Sequence, residues 1–372
     1  MESIGLYVHI PFCVSKCPYC DFYSLAAPTE ELLERYTDAV ISAMDRWSQR
    51  LPLQADTLYF GGGTPSLLGG ERLARIIRHA ARRFSLLDGR APEITMEANP
   101  ADDLRDTLAA FADAGGNRLS LGMQSAVPDE LQALGRRHSL TQLERAVADA
   151  RAVGLDNLSI DLMLGVPGQT VATATASATR VAQLGARHVS AYMLKLEPDT
   201  PYGKCPPSLP DEDTVADIYL SVMESLEANG YRQYEISNLA QPGFESRHNL
   251  KYWDSRPYLG LGPAASSCLN GRRFSYPRDI RRFMDGGEPM EETDDVIPTG
   301  SREEYAMLRL RLTDGLQNAA FESRFGEPMP EDWRRRAALL PSSMVVVDGD
   351  GIRLTRQGFL VSNSLIRHIL GE

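Results

Sequence analysis

The chain has 372 residues, enough for one large domain with appendages or for two domains. Its 43% hydrophobic and 24% charged residues are typical of an ordinary folded protein, and its formal net charge of −11 argues against a nucleic-acid binder, which needs a basic face for phosphate contacts. No apolar run reaches the ~18 residues of a membrane span, and the N-terminus lacks the basic region of a signal peptide.

Up to about residue 195, the sequence repeats a unit made of a short apolar strand, a loop with Gly or Pro, and an amphipathic helix. The predicted strands, in chain order, are IGLYVHI, DTLYFGG, EITMEANP, NRLSLGMQ, LSIDLML and HVSAYML. Such repeated alternation of strand and helix predicts parallel strands joined by right-handed crossovers. The predicted fold class is therefore α/β.

The residues of these strands alternate in polarity. Leu158, Ile160 and Leu162 fall on one face of their strand, and Ser159 and Asp161 fall on the other. A parallel sheet that is covered on both sides is usually apolar throughout, so a face this polar indicates a wet cavity. We predict a partial (β/α)6 barrel, apolar outside and polar inside; a doubly wound sheet is the alternative.

The pattern changes after about residue 198. A Pro- and Asp-rich segment and a helix precede a Gly- and aromatic-rich stretch from His248 to Tyr276. After about residue 290, the sequence predicts two helices, a β-hairpin and a last helix, an order that resembles a small winged-helix module. We expect a core over residues 1–200, an α/β extension over 201–290 and the winged-helix-like module over 291–372.

Three cysteines, Cys13, Cys17 and Cys20, lie close together in CVSKCPYC, after the first predicted strand. Thiolates are soft ligands, and the spacing C-x3-C-x2-C lets a short loop surround one metal centre. Zinc bound by these cysteines and His9 is one alternative, although His9 shares a strand face with Tyr7 and is expected to point into the barrel. A [4Fe–4S] cluster usually takes four cysteines, so three leave one iron open to another ligand.

Further polar residues fall at the carboxyl ends of the predicted strands, where functional groups gather in parallel α/β barrels. They include the segment Gly61-Gly62-Gly63-Thr64-Pro65, Glu97, Gln124, Asp161 and Lys195. Glycines let the backbone approach a ligand closely, and several polar groups at one rim indicate a ligand site.

Together, the cysteine loop, the GGGTP segment and the six strand–helix units resemble the radical S-adenosylmethionine (SAM) superfamily. In that superfamily, the amino and carboxylate groups of SAM chelate the fourth iron of a [4Fe–4S] cluster, and the reduced cluster can cleave SAM to a 5′-deoxyadenosyl radical. The resemblance implies that Cys13, Cys17 and Cys20 bind such a cluster.

The chain also resembles the branch of this superfamily that includes the oxygen-independent coproporphyrinogen III oxidases, which allows SAM-binding roles to be carried over. The implied SAM-binding residues are Tyr7 and Tyr19 on its flanks; Gly62, Gly63 and Thr64 at its amino and carboxylate end; Glu97, Gln124, Arg136 and Asp161 at its ribose and remaining polar atoms; and Lys195, by position alone.

Two features depart from those oxidases. Phe22 stands where they carry a fourth cysteine, and only twelve residues precede Cys13, where they carry a longer arm. The segment RHNLKYW, by contrast, contains H-N-x-x-Y-W and resembles the related haem chaperones of the HemW type. A neutral imidazole is a good haem ligand, and Tyr and Trp offer flat apolar surfaces. The implied haem-binding residues are His248, Asn249, Tyr252 and Trp253, unless this segment only caps a turn and packs a core.

The sequence therefore predicts a cytoplasmic haem chaperone with a [4Fe–4S] cluster, SAM and haem as cofactors. It would transfer haem to acceptor haemoproteins, including membrane-bound respiratory enzymes. An oxygen-independent coproporphyrinogen III oxidase is the first alternative, and a regulator that contacts nucleic acid through the C-terminal module is the second. Both a monomer and a homodimer fit the sequence.

Overall fold

The structure, a computed structural model, describes residues 3–86, 91–100, 103–292 and 297–371. The strands are β1 (Ile4–Ile10), β2 (Phe12–Cys13), β3 (Leu25–Ala26), β4 (Ala55–Gly62), β5 (Glu93–Ala98), β6 (Arg118–Gln124), β7 (Leu158–Leu164), β8 (His188–Met193), β9 (Arg232–Gln233), β10 (Asn238–Ala240), β11 (Tyr258–Leu261), β12 (Ser266–Leu269), β13 (Arg272–Ser275), β14 (Met290–Glu291), β15 (Leu316–Gln317), β16 (Val345–Val347) and β17 (Gly351–Leu354).

The helices are α1 (Glu30–Arg50), α2 (Gly70–Phe84), α3 (Arg105–Asp113), α4 (Pro128–Ala133), α5 (Leu140–Ala152), α6 (Val171–Gln183), α7 (Pro201–Lys204), α8 (Glu212–Ala228), α9 (Arg247–Trp253), α10 (Ile280–Met284), α11 (Arg302–Arg309), α12 (Asn318–Phe325), α13 (Glu331–Ala338), α14 (Arg356–Leu360) and α15 (Ser362–Leu370). A short 3-10 helix spans Pro65–Leu68. No helix among the described residues is long and apolar enough to cross a membrane.

The six predicted strands form the parallel core of the sheet, in the order β1-β4-β5-β6-β7-β8. Their ends lie within a residue or two of the predicted ones. Three of the helices that connect them begin at side-chain caps: Thr29 caps α1, and Ser139 and Thr170 form capping boxes at α5 and α6. The prediction of a partial (β/α)6 barrel is confirmed.

The alternation of polar and apolar residues along the strands places the two kinds of side chain on opposite sides of the sheet, as predicted. Leu158, Ile160 and Leu162 of β7 are buried in the main hydrophobic core, which the helices cover. Ser120 and Asp161, on the opposite faces of β6 and β7, line a cavity. The barrel is therefore apolar outside and polar inside, because period-2 alternation sends neighbouring side chains to opposite faces.

The sheet continues beyond both edges of the barrel core, which was not predicted. At one edge, β11 pairs in parallel with β1, followed by antiparallel β12, β13 and β14; at the other, β10 and β9 follow β8. Both extensions come from the region after residue 198 that was expected to form an α/β extension. They cover the two edges that a half-open barrel would otherwise leave with unpaired backbone groups.

The C-terminal module contains a separate sheet of order β15-β17-β16 with helices α11 to α15 around it. The predicted hairpin is β16–β17, which pair antiparallel. Two details differ from the expectation: α12 was not predicted, and the last helix is divided into α14 and α15 at Val361.

The extension should contribute to the stability of the barrel. Leu259 in β11 is fully buried beside β1, so Leu259→Ala should lower the free energy of unfolding by about 2–5 kcal/mol through lost burial and a cavity. The matched control is Leu339→Ala, at a side chain that is 77% exposed, which should change it by less than about 0.5 kcal/mol. Urea unfolding followed by circular dichroism measures both, and equal effects would contradict a structural role for β11.

Candidate functional site

A cavity of about 830 Å³ opens where the six core strands end. The predicted site residues that line it are Cys13, Cys17, Tyr19, Cys20, Gly62, Gly63, Thr64, Glu97, Gln124, Arg136, Asp161, Lys195 and Asn249. The predicted site residues outside its lining are Tyr7, His248, Tyr252 and Trp253. The structure thus brings the cysteine loop and the strand-end residues to one cavity.

The cysteine loop is closed at its base by the short parallel pair β2–β3, in which Cys13 lies opposite Ala26. Within it, the Cys20 N–H donates to the Cys17 carbonyl at 3.2 Å. All three cysteines are free thiols and partly exposed to the cavity. The Arg136 guanidinium lies 3.8 Å from the Cys17 Sγ.

Gly63 and Thr64 hold the start of this loop. The Gly63 N–H donates to the Ile10 carbonyl at 2.8 Å, and the Thr64 N–H donates to the Phe12 carbonyl at 2.7 Å. A Cβ at residue 63 would lie 2.5 Å from the Phe12 carbonyl oxygen, so only glycine allows this approach. We had expected glycine amides to meet a ligand here; the amides of residues 63 and 64 instead bind the backbone that leads into Cys13.

His9 is a support of the cysteine loop. Its Nε2 is 2.8 Å from the Tyr23 carbonyl, and its Nδ1 is 3.0 Å from the Tyr7 hydroxyl. Burial lowers the pKa of His9, which keeps the ring neutral. Both ring nitrogens already have partners, so His9 would have to release one of them to complete a zinc site with the three cysteines. Within the described ranges, no group of three His, Cys, Asp or Glu side chains is arranged to hold a single metal ion.

Two carboxylates, Glu97 and Asp161, lie inside the barrel. Glu97 accepts hydrogen bonds from the Tyr59 hydroxyl at 2.8 Å and the Gly62 N–H at 3.2 Å. Asp161 accepts one from the Ser120 hydroxyl at 3.1 Å. Burial, and then the charge of Asp161, raise the pKa of Glu97 to about 7, and burial also raises the pKa of Asp161. These two acids are acceptors suited to hydroxyl groups of a ligand.

The end of β6 is distorted at Gln124, whose φ of 68° is rare for a residue other than glycine. Between Gly122 and Gln124, the pairing register with β7 shifts. Arg136 donates to the Gly122 carbonyl at 2.7 Å, and a Cβ at residue 122 would lie 2.9 Å from the Arg136 Nη2. The absence of a side chain at Gly122 thus lets Arg136 and Gln124 approach the strand at the cavity wall. Such local strain is typical of functional sites.

His248 is 1% exposed and lies beneath the cavity, on α9. Its Nδ1 is 2.8 Å from the Thr57 hydroxyl, its Nε2 is 2.8 Å from the Tyr252 hydroxyl, and its ring stacks on Tyr59. Burial lowers the pKa of His248 to about 3, so the ring is neutral. Both ring nitrogens of His248 already have hydrogen-bond partners. The haem-binding role of His248 stays a prediction, and it requires the ring to release one of these partners.

Lys195 lies at the rim of the cavity, is exposed and pairs with Glu197 at 2.7 Å. Several lining residues were not predicted: Tyr59, Arg118, Ser120, Ser190 and Tyr192. Each lies on the inward face of its strand, in the same alternation that identified Glu97 and Asp161. The signal for them was therefore present in the sequence.

Comparison with known proteins gives the family. Residues 7–179 match the Radical SAM superfamily, and residues 301–361 match the HemN C-terminal domain. The chain is 35% identical to the protein named heme chaperone HemW of Escherichia coli K12, over 100% of this chain and 99% of that protein. The chain belongs to the HemW family. A second HemW relative, from Bacillus subtilis 168, is 33% identical over 98% of this chain and 99% of its own length.

The fold of this HemW family member resembles a solved structure, the coproporphyrinogen III oxidase HemN from Escherichia coli, described as a radical SAM enzyme. The two share a TM-score of 0.82 at 20% identity, over 99% of this chain and 90% of that one. Identity this low supports the fold alone. The radical SAM fold expected from the cysteine loop and the six strand–helix units is confirmed.

The raised pKa of Glu97 predicts how stability depends on pH. Since the pKa is about 7 in the folded chain against an ordinary 4.5, folding favours the protonated acid, and wild-type stability should fall as pH rises from 4.5 through 7. Glu97→Gln removes this titration. The free energy of unfolding of the variant, relative to that of wild type, should therefore rise by up to about 3 kcal/mol between pH 4.5 and pH 8. Unfolding midpoints of both proteins across this range measure it, and a stability difference that does not change with pH would contradict it.

Proposed function

We propose that this protein is a cytoplasmic haem chaperone that holds a [4Fe–4S] cluster and SAM in its barrel and passes haem to acceptor haemoproteins, including respiratory enzymes at the membrane. The observation that carries the proposal is the full-length similarity to proteins named heme chaperone HemW. Membership of a radical SAM family supports the cluster and SAM.

The residues at the cysteine loop fit a cluster with one iron free of protein thiolates. Cys13, Cys17 and Cys20 are three free thiols on one loop that lines the cavity. An open iron of such a cluster supplies a coordination site for the amino and carboxylate groups of SAM. A reducing compartment keeps these cysteines available for iron.

The cavity wall next to this loop fits SAM. Arg136 keeps a buried Nε without a hydrogen-bond partner in the described chain, and this donor suits the ligand carboxylate. The amides of Gly63 and Thr64 are occupied, so contacts of this segment with the ammonium group would have to come from its oxygen acceptors. Glu97 and Asp161 would accept hydrogen bonds from the ribose hydroxyls.

Haem would bind at the H-N-x-x-Y-W segment, with His248 exchanging its Tyr252 partner for iron. Asn249 of this segment lines the cavity, which brings the segment next to the SAM site. The mouth of the cavity adds Phe22, whose side chain is 63% exposed, and exposed Val14. Exposed apolar groups at a binding site suit a flat apolar ligand. Phe22 also stands in place of the fourth cysteine of the oxidases, which favours the chaperone over a decarboxylase.

The first prediction concerns the cluster. Replacing Cys13, Cys17 and Cys20 together with alanine should abolish iron and sulfide binding after anaerobic reconstitution, because no thiolates remain at the loop. The matched control replaces Cys205 and Cys268, which lie outside the cysteine loop, and should bind both elements as wild type does. Iron and acid-labile sulfide analysis measures the result; retention of both by the triple variant would rule out this site.

A further prediction distinguishes a haem chaperone from a coproporphyrinogen III oxidase. Anaerobic protein with its cluster is titrated with haem and, in parallel, incubated with SAM, a reductant and coproporphyrinogen III. We expect a stoichiometric shift of the haem Soret band and no protoporphyrinogen. SAM-dependent decarboxylation would instead make the protein a coproporphyrinogen III oxidase that works without the fourth cysteine.

The same titration tests His248. His248→Ala should weaken haem binding because the iron ligand is lost. Tyr252→Phe keeps the ring at residue 252 but removes the hydroxyl from the His248 Nε2, so it should bind haem as well as wild type or more tightly. If His248→Ala and Tyr252→Phe lose haem affinity equally, His248 is not the iron ligand, and this segment serves to pack the floor of the barrel.

A further inference from the structure

We propose that Arg118, at the floor of the barrel, binds a carboxylate of a second organic ligand that enters the cavity beyond SAM. This inference rests on the proposed function, which makes that ligand haem and the carboxylate one of its propionates. Nothing in the predicted SAM or haem sites includes Arg118.

Arg118 is the first residue of β6 and points to the same side as Ser120, Gly122 and Gln124. At about 3.3 Å of rise per residue, its Cα lies roughly 20 Å below Gln124 along the strand. Since Gln124 and Arg136 are at the end of the barrel that carries the cysteine loop, Arg118 lines the opposite, deep end of the same cavity. It is therefore placed for a group other than the end of SAM that meets the cluster.

The guanidinium of Arg118 is buried, with the residue 2% exposed, and its Nε lacks a hydrogen-bond partner among the described residues. No described carboxylate forms an ion pair with it; Glu97 and Asp161 instead accept from Tyr59, Gly62 and Ser120. The charge of Arg118 opposes the burial that raises the pKa of Glu97 and Asp161, so these acids partly compensate it. The Arg118 Nε is nevertheless a buried donor without an acceptor, which is costly for the fold. A ligand anion would supply the missing acceptor.

One neutral group next to Arg118 would add a hydrogen bond, and a second lines the same cavity. Thr95 lies directly opposite Arg118 in the β5–β6 register, and its buried hydroxyl has no partner among the described residues. The Asn249 side chain reaches the same cavity from α9. The floor histidines His248 and His188 are neutral and hydrogen-bonded through both ring nitrogens. The buried acid of the floor, Glu93, accepts hydrogen bonds from the Arg247 and His248 N–H groups at the start of α9.

The surrounding charges favour a carboxylate over a phosphate. A guanidinium matches the two oxygens of a carboxylate in a planar, bidentate fork. Glu97 and Asp161 share the barrel interior, so a doubly charged phosphate would meet more repulsion than a singly charged carboxylate. The partial protonation of Glu97 at neutral pH lowers this repulsion for a monoanion.

The test pairs a change in the protein with a change in the ligand. Wild type, Arg118→Gln and Arg118→Lys, each with its cluster, are titrated with haem and with haem dimethyl ester, which lacks free carboxylates, in the same detergent. Wild type should bind haem at least about ten-fold more tightly than the ester, since a charge-assisted hydrogen bond is lost with the ester. Arg118→Gln should lose about ten- to a hundred-fold in haem affinity and bind the ester as wild type does, with Arg118→Lys between the two.

The other outcomes are distinct. If wild type and Arg118→Gln prefer haem over its dimethyl ester by the same factor, this inference is wrong, but the proposed chaperone function is not contradicted. If wild type binds neither haem nor the ester, both the proposed function and this inference are wrong. SAM binding by Arg118→Gln should match wild type, and its loss would assign Arg118 to the SAM site instead. Because the charge of Arg118 also stabilises the ionised forms of Glu97 and Asp161, Arg118→Gln without haem should unfold at or slightly below the wild-type temperature at neutral pH; loss of the folded state would show a structural role and overturn the inference.

Discussion

The pair of backbone hydrogen bonds from Gly63 and Thr64 to the Ile10 and Phe12 carbonyls determines where the site can form. These bonds join the end of β4 to the segment that carries Cys13, and they exist only because residue 63 has no Cβ. The loop is further held by His9, through the Tyr23 carbonyl, and by the Tyr202 N–H, which donates to the Pro18 carbonyl at 3.0 Å. Three parts of the chain thus keep the cysteines at one wall of the cavity. These contacts are made to backbone carbonyls of the segment rather than to the thiols, so they do not occupy the sulfur atoms.

Acidic and basic side chains share the interior of the barrel, where burial makes the charged forms unfavourable. Glu97 and Asp161 face the cavity with Arg118 and Arg136, while His9 and His248 are kept neutral by burial. The acids are relieved partly by hydrogen bonds from hydroxyl and amide donors and partly by raised pKa values. The arginines keep donors without partners. The acids thus have hydrogen-bond donors in the protein, whereas Arg118 and Arg136 each have a donor without an acceptor. This difference is expected of a site in which a bound anion supplies the acceptors.

The sequence allowed the core to be predicted because its strands carry a physical signal, the alternation of polarity along each strand. The edge strand β11 was missed because its four residues, YLGL, are too few for the alternation of Leu259 and Leu261 with Tyr258 and Gly260 to stand out as a strand. The cysteine loop and most of the strand-end residues were found because spacing and position are properties of the chain itself. His248 shows the limit of such arguments: its partner Thr57 comes 191 positions earlier, so a motif in the sequence does not reveal that both ring nitrogens are already bound. Arg118 was overlooked because it lies at the start of a strand, away from the end where functional groups were sought.

The pairing of β1 between β4 and β11 has a consequence for the order in which the protein is made. A ribosome delivers β1 and the three cysteines first, the clamp at Gly63 and Thr64 soon after, and β11 only once more than two thirds of the chain has emerged. Until then, one edge of β1 has no strand to pair with, and such an open edge is prone to wrong pairings. During synthesis, the cysteine loop therefore follows a strand, β1, that still lacks one of its two partners. Stable loading of iron is expected to follow synthesis of the whole barrel rather than accompany it.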